Sequence, residues 1–227
     1  DAAAVAGHYG SISAVTFAAV TGALDQQGTP YAGYMVTVAA AMEAPAIFSA
    51  LAIARRSAGV ASKATTRQLM RDIALSSSIV VLLGALVIGM LTGSRGLTAI
   101  KPFILDPFAG VLCLFLLDMG LVAARGLAKG RPYLTAPVVG FGIAMPLIGA
   151  GLGAVAALAI GLPAGSAAVL ITLAASASYI AVPAAMRMAL PEANPSISLT
   201  LSFGVTFPFN LTIGIPLYIA LAAMLAG

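Results

Sequence analysis

Charge is what this sequence has least of. Of its 227 residues only 8% are Asp, Glu, Lys or Arg, against 61% hydrophobic, and the mean hydropathy is +1.07. A soluble domain carries roughly 25% charged residues, and a fold of this length cannot cover its surface with so few. Lipid must therefore be the solvent for most of the exterior. The other shortages narrow the chemistry. A single cysteine, Cys113, excludes an internal disulfide, and its apolar neighbours predict a packed core position. The one histidine, His8, has no ligand residues beside it, so a hydrogen bond within its own helix is expected ahead of a proton relay or a metal site. No Ser-Lys, paired-Asp or metal-ligand constellation appears, which argues against an enzyme. No signal-peptide pattern opens the chain, and Asp1 leads directly into an apolar run.

What is present is a series of apolar runs. A helix crossing about 30 Å of hydrocarbon needs about 20 such residues, and seven segments qualify, near 2–24, 31–54, 73–93, 103–124, 133–160, 165–189 and 195–225. The fold class is thus an all-α membrane protein. Between the second and third segments lies "RRSAGVASKATTRQLMRD", a basic linker over 55–72 carrying Arg55, Arg56, Lys63, Arg67 and Arg71. With the linker on the cytoplasmic side and the spans alternating, Arg125, Lys129, Arg131 and Arg187 also fall inside, whereas Arg95 and Lys101 fall outside. The net charge of +4 therefore reports topology and contact with anionic lipid, not nucleic acid.

Two stretches resemble each other. At a shift of 165 residues, Ser11 falls on Ser176, Ser13 on Ser178 and Pro30 on Pro195, and Pro45 meets Pro216 after a six-residue insertion. The first copy runs inside to outside and the second outside to inside, as in the inverted repeats of secondary transporters. On this reading 1–54 is the C-terminal part of a first repeat and 73–227 a complete second repeat of five spans. Symmetry then predicts a parent of ten spans, with three further helices before residue 1.

The serines fit such a fold. A helix broken in mid-membrane leaves unpaired N–H groups at one half-helix start and unpaired C=O groups at the preceding end. The first suits an anion and the second a cation, and a serine hydroxyl serves either without a buried fixed charge. Gly7 and Gly10 are expected to permit the first break and Pro183 the second. The alternative is that both Ser-x-Ser pairs are small-residue packing surfaces, as "GAGLG" from Gly149 to Gly153 is expected to be.

From Ala174 to Ala222 the sequence "AASASYIAVPAAMRMALPEANPSISLTLSFGVTFPFNLTIGIPLYIALA" resembles the sodium-dependent bicarbonate permeases of the cyanobacterial type. The shared signature is a Ser-rich helix break, then Pro183, Arg187, "P-x-ANPS" from Pro191 to Ser196, and a Pro- and Gly-interrupted last helix. "HYGSISAVTF" and "MEAPAIFSALAIARR" are similar to the family's first half. The resemblance implies a core domain with broken helices moving against a gate domain, a multi-pass homotrimer in the inner (plasma) membrane, and symport of bicarbonate or a similar small anion with sodium as coupling ion. For the cyanobacterial branch it further implies a PII-like regulatory protein at the cytoplasmic face. Where cyanobacterial members carry a Ser-Ser-Ser-Asp type run, this chain has Ser176, Ala177, Ser178 and Tyr179.

The site expected from these readings comprises Ser11, Ser13, Ser176, Ser178, Gly10 and Tyr179 for the anion, and Glu43, Thr16 and Asn210 for sodium. No cofactor is implied beyond that ion. Asp118, two helical turns before Arg125, is assigned a stabilising or gating contact, and Arg187 a gating or structural role. Asn194, ahead of Pro195, is expected to cap a helix. Two other readings stay open: a proton-coupled transporter or sodium/proton exchanger using Glu43 and Asp118, and a membrane sensor whose basic linker binds a cytoplasmic protein.

Overall fold

The structure, a computed structural model, describes residues 1–42, 77–179, 182–183 and 192–226. Glu43, Arg187 and the basic linker lie outside the described residues. Every regular element among those described is a helix. Four are long and apolar enough to cross a membrane: Ala2–Gln26, Phe108–Arg125, Ala136–Ile160 and Pro195–Ala226.

The first span is broken. Helices α1 (Ala2–Gly10) and α2 (Ala14–Gln26) are joined by Ser11, Ile12 and Ser13. Ser13 leaves the helical region at φ −111°, ψ 115°, and its hydroxyl accepts from the Thr16 amide at 3.1 Å, capping α2. Gly7 and Gly10 stay helical within α1, and neither has a positive φ. The break is therefore made by serine capping and not by the glycine freedom expected from the sequence.

Beyond a turn at Gly28 (φ 64°), helix α3 occupies 35–42. Helix α4 (Ser77–Ile104) changes direction at Gly93, where φ is 55° and ψ −148°. The loop expected over 94–102 is instead helical, and the exposed pair Lys101 Nζ to Asp106 at 3.9 Å marks the turn after it. Helix α5 (Phe108–Gly130) follows, then a 3₁₀ turn at Arg131–Tyr133. Cys113 is exposed on α5, beside the exposed Val111, Leu114 and Leu117. The sequence suggested a core position because an apolar run looks the same whether lipid or protein covers it.

Helix α6 (Ala136–Ile160) ends where Gly161 takes the left-handed conformation, φ 67°. Helix α7 (Ala164–Ala174) is buried along most of its length, against α2, α6 and the last helix, α8 (Pro195–Ala226). Asn194 caps α8 as expected, accepting from the Ser196 amide at 3.0 Å. Contact between α6 and α7 depends on small residues. A Cβ at Gly149 would land on the Ala174 carbonyl oxygen, and one at Gly153 would lie 2.9 Å from the Ile171 Cα and the Ala174 Cβ. We expect Gly149→Val to destabilise the protein by about 1–3 kcal/mol through overpacking. Gly151→Ala, whose Cβ meets nothing within 4 Å, should be neutral or stabilising by up to about 1 kcal/mol. Thermal unfolding in detergent reads both.

Helix α8 carries two π-helical segments, Thr200–Thr206 and Asn210–Gly214. The Phe207 amide bonds the Ser202 carbonyl and the Ile215 amide the Asn210 carbonyl, each five residues back. Pro208 and Pro216 each follow one of these segments closely. Proline lacks the N–H for the carbonyl four residues back and its ring crowds that carbonyl, so a wider turn relieves the conflict without ending the helix.

Candidate ion and anion site

Helix α7 stops at Ala174, and residues 175–179 form a second non-helical stretch. The two breaks meet and brace each other. The Ser178 amide donates to the His8 carbonyl at 2.8 Å, and His8 Nδ1 lies 2.6 Å from the Ser178 carbonyl oxygen. A carbonyl only accepts, so Nδ1 carries the proton. The Ser13 amide donates to Ser176 Oγ at 3.0 Å, and Ser13 Oγ donates to the Tyr179 hydroxyl at 2.9 Å, with the Thr16 side chain beside it.

This bracing answers the requirement of the broken ends. Carbonyls in the last turn of a helix have no intrahelical donor. At α1 the His8 carbonyl receives the Ser178 amide. At α7 the Leu173 carbonyl receives the Ser176 hydroxyl at 2.8 Å and its amide at 3.1 Å. The Ala175 carbonyl receives Asn210 Nδ2 at 2.9 Å, and Asn210 Oδ1 accepts from the Tyr218 hydroxyl at 2.8 Å.

One polar atom stands outside this satisfaction. Ser11 Oγ is the only buried side-chain nitrogen or oxygen among the described residues without a hydrogen-bond partner. Buried polar groups in folded proteins are nearly always paired, and this one lies in the break itself. It is a hydroxyl with both donor and acceptor capacity free.

Of the residues singled out from the sequence, Ser11, Ser13, Thr16, Ser176, Ser178, Tyr179 and Asn210 are brought to this region, each 1–8% exposed. Gly10 closes α1 and is exposed. Asp118 and Arg125 are both exposed on α5, with no ion pair between them. No group of three or more His, Cys, Asp or Glu side chains that could hold a metal occurs among the described residues. A cation bound here would be held by hydroxyl and carbonyl oxygens.

Several partners were not foreseen. His8 bonds across to the second break instead of within its own helix. Tyr9 donates to Thr206 Oγ1 at 2.6 Å, which donates onward to the Gly142 carbonyl at 2.6 Å, tying α1 to α8 and α6. Ser202 Oγ lies 3.4 Å from His8 Nδ1. Their signal was present: Ser198, Ser202, Thr206 and Asn210 recur every four residues in an apolar helix, and all four are buried. Tyr179, Phe203 and Phe207 form an aromatic cluster beside the second break, with ring centroids 4.8–5.4 Å apart.

Across residues 1–223 the chain matches the family model of the Na+-dependent bicarbonate transporter superfamily. The chain belongs to this superfamily. It is an all-α membrane transporter, and its family is one of carriers and not of enzymes. At the level of the family its ions are sodium and bicarbonate. No curated protein matches the chain.

Proposed function

We propose that this protein is a sodium-coupled symporter that carries bicarbonate or a similar small anion into the cell across the inner (plasma) membrane. The observation that carries the reading is the meeting of two broken helices around an unpartnered, buried serine hydroxyl, in a chain of a sodium-dependent transporter superfamily.

The first turn of α2 offers amides that helix geometry leaves without acceptors, together with the positive end of a helix dipole, and these favour the anion. The carbonyl ends of α1 and α7, with serine and threonine hydroxyls, favour sodium. Ser11, Ser13, Ser176, Ser178, Gly10 and Tyr179 are assigned to the anion, and Thr16 and Asn210 to the cation. Neutral ligands suit a pair of opposite charges that enter together. Two unit charges about 4 Å apart attract by roughly 4 kcal/mol at an effective dielectric of 20. Each ion therefore raises the affinity for the other, which is the thermodynamic content of symport. Repeats over 1–54 and 73–227, joined by the linker, would together build a core with the broken helices and a gate against which it moves, within a homotrimer. The linker's positive charge suits a PII-like protein at the cytoplasmic face.

Uptake of labelled bicarbonate into proteoliposomes tests the coupling. Replacing external sodium by potassium or choline is expected to reduce uptake at least tenfold, and an inward proton gradient alone to drive none. Equal uptake without sodium would contradict symport. Uptake driven by the proton gradient would favour a proton-coupled carrier, although the exposed position of Asp118 on α5 lends that alternative no support.

A further inference from the structure

His8 is a buried, titratable side chain to which the transport scheme above gives no task. It is 1% exposed and lies in the last turn of α1, two residues before the break closes on Gly10. It makes two bonds to one residue of the opposite break: its carbonyl accepts from the Ser178 amide at 2.8 Å and its Nδ1 donates to the Ser178 carbonyl at 2.6 Å. Both backbone polar groups of Ser178 are thus held by His8, which fixes that residue in position and in rotation. The second neighbour of the ring is Ser202 Oγ, 3.4 Å from Nδ1 and inside the first π segment of α8. Ser202 Oγ spends its own proton on the Ser198 carbonyl at 2.8 Å, so toward the ring it can only accept, as the longer arm of the one Nδ1–H already given to the Ser178 carbonyl.

A proton relay through Nδ1 ends at once, because the Ser178 carbonyl has no proton to exchange. What the ring supplies is a directional donor and a rigid link among three elements. We propose that His8 is a positioning residue that holds the two breaks in register, so that the serines of one face those of the other, and that α8 follows their relative movement through Ser202. The kinetic part of this proposal rests on the symport reading. The register it describes does not.

The test separates the two. An Asn side chain places an amide N–H where Nδ1 stands, whereas Gln places its amide near Nε2 and Leu supplies no donor. In proteoliposomes, His8→Asn is expected to keep the apparent KM for bicarbonate and for sodium within about threefold of wild type. His8→Gln and His8→Leu should raise at least one of them tenfold or more with maximal uptake changed less. Asn behaving like Leu, whether both are normal or both impaired, would overturn the positioning role. The second readout is ¹⁵N-histidine magnetic resonance of the intact protein, with the His8 signal assigned by its loss in His8→Asn. A neutral ring protonated at Nδ1 is expected, and a ring protonated at Nε2 or averaging between tautomers would overturn the proposal. That readout needs no transported ion, so it stands even if wild type carries no bicarbonate. Loss of wild-type flux with the Nδ1–H ring intact would refute the symport reading and leave the register in place.

Discussion

Replacing Ser11 by alanine is expected to abolish uptake while leaving the protein as stable as wild type or more so. Its hydroxyl is buried, and no group among the described residues satisfies it. Keeping such a group from solvent without a partner costs roughly 1–3 kcal/mol in mutational series, so the methyl group of alanine should leave stability unchanged or raise it by about 1 kcal/mol. If the hydroxyl serves the transported ion, its removal takes one ligand from the site and uptake should fall at least tenfold. Ser13→Ala provides the contrast. Ser13 Oγ caps α2 and bonds Tyr179, so its loss should cost about 1 kcal/mol or more. Thermal unfolding in detergent beside uptake in liposomes resolves the two. A destabilised Ser11→Ala would mean that the hydroxyl has a structural duty, and a stable, fully active one would remove Ser11 from the site.

The largest loss of stability is expected from Asn210→Ala. Asn210 is 1% exposed, and its side chain binds both the Ala175 carbonyl and the Tyr218 hydroxyl, at 2.9 and 2.8 Å. Tyr218 is fully buried. Alanine would orphan both groups, and Ala175 and Tyr218 are buried. At about 1–2 kcal/mol for each unsatisfied partner, the cost should be about 2–4 kcal/mol, with loss of uptake. Tyr218→Phe removes one partner and leaves the bond to Ala175, so it should cost about 1 kcal/mol. If Asn210→Ala unfolds no earlier than Tyr218→Phe, the amide does not secure the end of the second break.

Four of the seven expected spans, those near 2–24, 103–124, 133–160 and 195–225, were legible because apolar runs of about 20 residues have few other meanings at this composition. The pairing of the breaks was legible from Ser11 and Ser13 falling on Ser176 and Ser178. What made the first break was not. Glycine was the visible breaker, but Ser13 supplies the cap, and capping depends on a hydroxyl reaching an amide three residues ahead, which spacing permits without requiring. The fate of Cys113 was hidden for a different reason: hydrophobicity does not distinguish a protein-facing from a lipid-facing position. His8 looked isolated because its partner, Ser178, lies 170 residues away, and Tyr9 was not singled out, its partner Thr206 lying 197 residues away. The four-residue recurrence of polar side chains from Ser198 to Asn210 was there to be read, and it marks the face of α8 turned toward the breaks.

The register of the breaks also gives the serines distinct tasks. Ser13 and Ser176 are engaged in holding the two stretches together, whereas Ser11 brings a free hydroxyl. Substitutions should therefore separate into those that loosen the fold and those that silence a folded carrier.

The most direct measurement is uptake of labelled bicarbonate into proteoliposomes under an inward sodium gradient, with wild type beside a Ser11→Ala, Ser178→Ala double variant. The account predicts sodium-dependent uptake by wild type and background uptake by the double variant, which remains folded. A folded double variant that transports as wild type does would contradict the placement of the site between the two breaks.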